Sequence, residues 1–456
     1  MIADLKPYQE YKESGIPWAP ELPSTWKTKR AKRLFTKMQR DVRPEDDVVT
    51  CFRDGMVTLR KNRRLRGFTE ATAFSGYQGI RKGDLVIHGM DAFAGAIGVS
   101  DSDGKGTPVY NVCKPGPGIV AGYYAHTLRE MSRSQWILAL AKGIRERSTD
   151  FRYEMFGNQF VPLPPPDEQA AIVRFLDHWN GRLEKAIRSK RRVIALLQEQ
   201  KQAIIHRAVT RGLDPNVKLK DSGIPWLGEI PAHWEQHRFC AVSKLRAERN
   251  PGELQLLSVF LDRGVIRYEE GGGQVHAPSL DLSEYQVVRV GDFVLNNQQA
   301  WRGSVGVSSH LGIISPAYVV LELSKCLDST FANYLMRSAS MVDQFVAASK
   351  GVGDIQRQLS WPFLRIVQVP VPTLEEQRTI AAFLDSETKD LTTAITRYER
   401  EITLLREYRT RLTADVVTGK LDVRAAAAQL PEKAEDEPLA DPEIPEEETE
   451  LEEVEG

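Results

Sequence analysis

Cysteine is scarce in this 456-residue chain, and long apolar runs are absent. The four cysteines, Cys51, Cys113, Cys240 and Cys326, show no C-x-x-C spacing. Nothing in that spacing points to a zinc cluster, and disulfides are not expected in the cytosol. No apolar stretch approaches the ~18 residues of a membrane span. The opening Met1-Ile2-Ala3-Asp4-Leu5-Lys6 lacks the basic-then-apolar layout of a signal peptide, so a cytoplasmic location is expected. There is no G-x-x-x-x-G-K-S/T loop and no G-x-G-x-x-G to cradle phosphates. The Asn-Pro-Pro-Tyr type of motif with which amino-methyltransferases hold a flipped base is also missing. Glu199-Gln200-Lys201 mimics the tail of a nuclease E-x-K motif, but it falls inside a helical pattern, where such a site is not built.

Charge is present but unevenly placed. Residues 431–456 hold eleven Glu and two Asp against one Lys, a net of −12, so the rest of the chain carries +11 behind a total of −1. A basic body suits a polyanion ligand, because each neutralised phosphate releases counterions. The acidic stretch has Pro438, Pro442 and Pro445 and no aromatic residue. It buries too little apolar area to offset its ordering entropy, so residues 426–456 are expected to form a disordered tail. Such a tail either solubilises the chain or mimics DNA on the basic surface.

The chain is a tandem duplication. Lys12 to Trp26 matches Lys220 to Trp234 with nine identities in fifteen positions, at an offset of 208. The same offset relates Pro162–Asp177 to Pro370–Asp385, Arg81-Lys82-Gly83-Asp84 to Arg289-Val290-Gly291-Asp292, and Lys142-Gly143 to Lys350-Gly351. It also relates Gly95, Gly98 and Val99 to Gly303, Gly306 and Val307. No cysteine or histidine recurs at this offset, so a metal site common to both copies is excluded. The copies share mainly Gly, Pro, Trp and apolar residues and differ in their polar set, which suits paired scaffolds presenting different binding surfaces.

Each copy reads in the same order. Residues 27–161 and 235–369 have short apolar stretches bounded by Gly and Pro, such as Asp84–Ile87 and Asp292–Leu295. They are expected to be globular domains, α/β (α+β) or mostly β. Pro-rich connectors then lead into long helices within 162–234 and 370–425. Thr373 with Glu376 fits a capping box at the start of the second helix. Leu391, Ile395, Tyr398, Ile402, Leu405, Leu412 and Val416 form a heptad seam, with Arg409 as a charged exception. Leu183, Ile187, Ile194, Leu197 and Ile204 repeat it in the first helix, with Lys190 and Lys201 as exceptions. About 45 residues give roughly 65–70 Å of helix, and neither stripe is stable without a partner. The two are therefore expected to pack on each other, antiparallel if the copies are related by an approximate two-fold axis. Leu5 and Pro7 align with Leu213 and Pro215 of the linker after helix one, so residues 1–26 are expected to dock near the end of helix two.

Three segments are candidates for contact with nucleic acid. Arg60, Lys61, Arg63 and Arg64 form a dense basic run, whereas its counterpart, Tyr268–Gln274, has no basic residue. The stretch after the Gly-Asp strand carries His88 in copy one and Asn296, Asn297, Gln298, Gln299 and Arg302 in copy two. Asn and Gln can bond adenine bidentately and Arg can bond guanine, so the two copies offer different donor sets on one scaffold. The third pair is Lys142, Arg145 and Arg147 against Lys350, Gln356 and Arg357.

The Ser-Gly-Ile-Pro-Trp openings at 14–18 and 222–226 resemble the specificity subunits of Type I restriction-modification systems. So do the Pro-x-Pro…Glu-Gln…Phe-Leu-Asp entries at 162–177 and 370–385, and the duplication of both across residues ~5–424. The resemblance implies two target recognition domains, each reading one half of a split double-stranded DNA site. It implies helices that form an antiparallel coiled coil, fix the gap between the halves and dock two modification subunits. S-adenosylmethionine, ATP and Mg would sit on the modification and restriction subunits, leaving this chain with no cofactor and no catalytic role. The acidic tail is outside the family pattern. A coiled-coil scaffold whose globular ends bind proteins is the alternative.

Overall fold

The computed structural model describes residues 5–63, 76–141, 150–250, 252, 254–261, 263–271, 278–279, 281–351 and 357–431. The first copy opens with β1 (Tyr11–Ile16), β2 (Ala19–Pro23), β3 (Lys27–Arg30), β4 (Phe35–Lys37), β5 (Val49–Cys51) and β6 (Val57–Leu59). Next come β7 (Gln78–Ile80), β8 (Leu85–His88), β9 (Ile97–Val99), β10 (Gly104–Gly106) and β11 (Tyr110–Pro115). Helices α1 (Ala121–Arg133), α2 (Trp136–Leu140) and α3 (Tyr153–Asn158) precede β12 (Phe160–Leu163) and the long α4 (Pro166–Arg211). The second copy holds β13 (Leu219–Asp221), β14 (Glu229–Pro231), β15 (Glu235–Arg238), α5 (Phe239–Val242), β16 (Ser243–Leu245), β17 (Leu257–Phe260) and β18 (Gly264–Arg267). It continues through β19 (Gln286–Val288), β20 (Phe293–Asn296), β21 (Val305–Val307), β22 (Gly312–Ile314) and β23 (Tyr318–Leu323). It ends with α6 (Ser329–Met336), α7 (Ala339–Ala348), α8 (Trp361–Leu364), β24 (Gln368–Val371), the long α9 (Leu374–Val417) and α10 (Arg424–Ala428).

The named strands pair antiparallel, so each domain is α+β. One four-stranded sheet runs β4-β11-β8-β9 and the other β16-β23-β20-β21, and the first residues of their strands correspond one to one at the repeat offset. Helices α6 and α9 begin at the positions equivalent to the starts of α1 and α4. The buried Asp of the Gly-Asp motif explains part of this repetition. Asp84 accepts the Arg81 amide and the Arg40 guanidinium, and Asp292 accepts the Arg289 amide and the Arg246 guanidinium. Gly83 and Gly291, at φ +89° and +90°, make the preceding turn, a conformation L side chains avoid.

The chain forms two compact units, residues 1–188 with 402–456, and residues 189–401. In the first, Trp26, Phe35, Tyr123, Tyr124 and Phe156 pack with Phe175 of α4 and Val416 and Val417 of α9. In the second, Trp234, Phe239, Phe293, Phe331 and Phe345 pack with Ile205 and Val209 of α4 and Ile380 and Leu384 of α9. The seam residues follow the same division. Leu183, Ile187, Ile395, Ile402, Leu412 and Val416 are buried, while Ile194, Leu197, Ile204, Leu391, Tyr398 and Leu405 are half-buried. The charged exceptions are accommodated at the edge of the seam. In the second unit Lys190 reaches Glu401 at 2.5 Å and lies over the Tyr398 ring, and Lys201 reaches Thr392 at 2.8 Å. Partner numbers fall as α4 numbers rise, so the helices run antiparallel there. In the first unit Arg409 donates to Glu184 at 2.8 Å. No described helix is long and apolar enough to cross a membrane.

One bond to a buried indole recurs in both units. The Trp26 indole N–H donates to Glu168 and that of Trp234 to Glu376, each at 2.9 Å. The next residue ties the helix to a loop. Gln169 accepts the Val120 amide and donates to Pro164, and Gln377 accepts the Asp328 amide and donates to Pro372. The Glu-Gln pair of the repeat is therefore structural.

Two expectations change. The capping box is half made, because Thr373 caps the Glu376 amide at 3.3 Å while the Glu376 carboxylate turns to Trp234 and His233. A buried indole N–H without an acceptor costs more than an exposed helix terminus, and so claims the carboxylate. The folded chain also extends past 425. Arg424–Ala428 forms α10, with Ala426, Ala427 and Leu430 in the first unit's core, because a short alanine run can helix and bury where the Glu-rich sequence cannot. The remainder of the tail, 432–456, lies outside the described residues. Near the N-terminus, the Asp422 amide donates to Lys6 at 2.8 Å and the Tyr11 hydroxyl to Gly419 at 3.1 Å.

Glu168 is 2 % exposed and also accepts the Tyr8 hydroxyl. Glu168→Ala orphans two buried donors at about 1–3 kcal/mol each. It is expected to lower the urea midpoint of the full chain more than Glu376→Ala, whose half-buried site water can reach. Equal shifts would show that burial does not set the cost. On the seam, Ile187 is 1 % exposed, so Ile187→Ala should cost about 2–5 kcal/mol. Lys190→Met, at a partly exposed ion pair, should change stability by less than about 1 kcal/mol. The reverse order in denaturant titration would place the seam's stability in its charges.

Candidate nucleic-acid interface

In each domain the first sheet strand after the Gly-Asp turn delivers a short polar turn to the surface. In the second unit this turn follows β20. Asn296 Oδ1 accepts the Gln298 amide at 3.1 Å, Gln298 O accepts the Trp301 indole at 2.8 Å, and Gly303 closes the turn at φ +99°. Asn297 O accepts the Leu359 amide at 2.9 Å, which lays the chain at 357–359 against the turn. Gln298, Gln299 and Arg302 are exposed, and Asn297 has a buried Oδ1 with no hydrogen-bond partner. Lys350 bridges Gln358 through the backbone, and its ammonium lies 5.4 Å from the Phe363 ring centroid. Residues from two of the sequence candidates, the turn and the Lys-Gly segment, thus meet in the second unit. Gln356 lies outside the described residues.

The first unit repeats the backbone and changes the chemistry. Phe151 N donates to Gly89 O at 2.9 Å, the equivalent at the repeat offset of the bond between Leu359 and Asn297. His88 is half-buried against Tyr110, and its Nδ1 accepts the Asp91 amide at 3.2 Å. Burial pushes the His88 pKa below its ordinary value, and the Asp91 carboxylate opposes that only in part. Met90 is exposed and Asp91 pairs with Arg53 at 3.0 Å, so this turn is less cationic than its counterpart. An open cleft of about 500 Å³ beside it is lined by Lys37, Met90, Asn111, Asp150, Arg152 and Glu154 among others. Lys142, Arg145 and Arg147 lie outside the described residues.

The described part of the basic run of copy one follows β6 directly. Arg60–Asn62 makes a 3-10 turn, and Tyr268–Glu270 makes the matching turn after β18 with acidic residues. Lys61 pairs with Asp47 at 2.6 Å and Arg63 with Asp54 at 2.5 Å, and Arg60 reaches Thr50. Arg64 lies outside the described residues.

Sequence reasoning passed over three contributors. Arg129 of α1 packs its guanidinium on Gly55 of the hairpin loop, and its pKa is lowered to about 10 by burial first and then by Arg133. Its counterpart at the offset, Arg337, donates to Leu261 O at 3.2 Å in the matching loop. Gln78 and Gln286, also a repeated pair, donate to Tyr110 O and Tyr318 O at 2.7 Å. The offset itself was the signal that could have found them. The third is Trp301, which lies inside the polar turn. Among the described residues, no group of three or more His, Cys, Asp or Glu could hold a metal ion.

No family model matches the chain. It is similar to the "Type I restriction enzyme MjaVIII specificity subunit" of Methanocaldococcus jannaschii, 26 % identical over 289 residues. That match covers 59 % of this chain and 64 % of the relative, so it spans less than two thirds of the relative's length. A solved chain described as "Structural basis underlying complex assembly and conformational transition of the type I R-M system" has the same fold. Its TM-score is 0.61 at 17 % identity, over 88 % of this chain and 99 % of that one.

With a lowered pKa, the His88 ring is expected to titrate below pH 6.5 in an NMR titration of the full chain. The unfolded state then binds more protons than the folded one between the folded pKa and 6.5, so stability falls as pH drops through that window. A midpoint above 6.5 would show that Asp91 outweighs burial.

Proposed function

We propose that the protein is the DNA-sequence-reading subunit of a Type I restriction-modification complex. Each globular domain reads one half of a split duplex site, and the two long helices set the gap and dock two modification subunits. The chain takes no catalytic part; S-adenosylmethionine, ATP and Mg are bound by the modification and restriction subunits. The observation that carries this reading is the division of labour between the copies. They keep the sheet, the buried Asp and the Trp–Glu bond at a constant offset of 208, and exchange the groups on the exposed turns. Arg-Lys-Asn in one 3-10 turn corresponds to Tyr-Glu-Glu in the other, and His88 corresponds to Asn296. Two different base sequences read by one scaffold require that pattern. Similarity to a specificity subunit and the shared fold support it.

The test is the methylation map of cells carrying the chain and its modification subunits. Replacing residues 27–161 with another reader should change one half-site only, and adding one heptad to both helices should change the gap and leave the half-sites alone. A replacement that altered both halves would overturn the assignment of one domain to one half. A map with no split site would favour a protein-binding scaffold instead.

A further inference from the structure

Arg302 and Arg357 come from different segments of the second unit, yet each guanidinium carbon lies 5.6 Å from the centroid of the Trp301 ring. The ring is itself fixed, because its indole N–H donates to Gln298 O at 2.8 Å. The Leu359 amide bond to Asn297 O holds the Arg357 segment beside the turn. Neither arginine has a carboxylate partner among the described residues. Elsewhere in the same unit Arg246 and Arg289 are both paired with acids. The amide side chains of Gln298 and Gln299 are exposed alongside.

Two cations on one ring repel each other, so the arrangement is at its best when an acceptor-rich partner meets both. A cation–π contact with an indole contributes about 0.5–1 kcal/mol at an exposed site and restrains both guanidiniums beside the turn. A phosphate needs charge, which a lysine supplies equally; the two coplanar acceptors, O6 and N7, on the major-groove edge of guanine match the planar donor fork of a guanidinium better than an ammonium. The positions of copy one that correspond to Trp301, Arg302 and Arg357 hold Phe93, Ala94 and Thr149, so this device belongs to one domain.

We infer that Arg302 and Arg357 contact guanine in the half-site read by the second domain, and that Trp301 is the positioning residue that orients them. This rests on the DNA-reading function proposed above.

The experiment uses the full chain with its modification subunits and a library of randomised duplex DNA, with bound molecules sequenced. Arg302→Ala and Arg357→Ala should each lower preference for guanine at one position of one half-site by roughly tenfold or more, leaving the other half-site unchanged. Arg302→Lys and Arg357→Lys should lose the same preference although the charge remains. Trp301→Phe should keep it, and Trp301→Ala should relax the guanine positions at an unchanged melting temperature. Should Trp301→Ala unfold the domain, the two lysine variants decide. Lysine variants that bind as the parent does, with alanine variants weakened equally on all sequences and a shallower salt dependence, would mean phosphate contact and overturn the inference. So would a selected half-site that none of these changes alters. If the parent chain selects no split sequence, the DNA-reading function itself fails, an outcome separate from a site that ignores the arginines.

Discussion

A buried indole N–H meeting a helix-borne carboxylate is the constraint on which each unit depends. Trp26 and Trp234 follow the Ser-Gly-Ile-Pro-Trp openings, whereas Glu168 and Glu376 sit in the first turns of α4 and α9. The bond therefore fixes where the globular domain ends and its helix begins, across 142 residues of chain. The carboxylate also lies where the helix N-terminus favours negative charge, which lessens the cost of burying it. The neighbouring glutamine then ties the same turn to the loop before α1 or α6. Without this pair, the packing of Phe175 or Ile380 against the domain core would have no fixed register.

Much of this was legible in the sequence because it was written twice. The offset of 208 alone exposes the strands after the Gly-Asp turns, the helix starts and the glycine positions. What was not legible lacks either periodicity or duplication. Asp84 and Asp292 match at the offset, but their arginines, Arg40 and Arg246, do not, so no alignment of the copies pairs them. The convergence of Arg302 and Arg357 on Trp301 joins segments far apart in the chain, and nothing local announces it. The end of the folded body was misplaced for a different reason. Composition separates an acidic tail from a basic body, but it cannot say that Ala426 and Ala427 still find a core.

The glycines show why a duplicated scaffold can hold its shape while its surface changes. A Cβ on Gly98 would collide with the carbonyl oxygen of Gly55, and one on Gly306 would come within 3.1 Å of the Gly264 Cα. Both are points where a sheet strand passes under a hairpin loop. Close backbone crossing leaves no side chain there to vary, so the hairpin and its strand stay in register in both copies. Variation is then confined to side chains that project from the loop and the turn.

How those side chains are held differs between the copies, and the difference bears on what each can contribute to binding. In the first unit Lys61 pairs with Asp47, Arg53 with Asp91, and Arg63 with Asp54 while also lying 4.5 Å from the Phe52 ring centroid. Exposed ion pairs of this kind are worth about 0–1 kcal/mol, so a phosphate can displace the carboxylate at little cost, giving affinity with little sequence content. In the second unit Arg302 and Arg357 lie over the Trp301 ring and have no carboxylate partner among the described residues. A guanidinium held by a ring without an acid keeps its N–H donors for an outside acceptor, which favours discrimination between bases over simple attraction. Under the proposed DNA-reading function, an arginine already held by an acid is suited to hold the backbone, and one without an acid is suited to read bases.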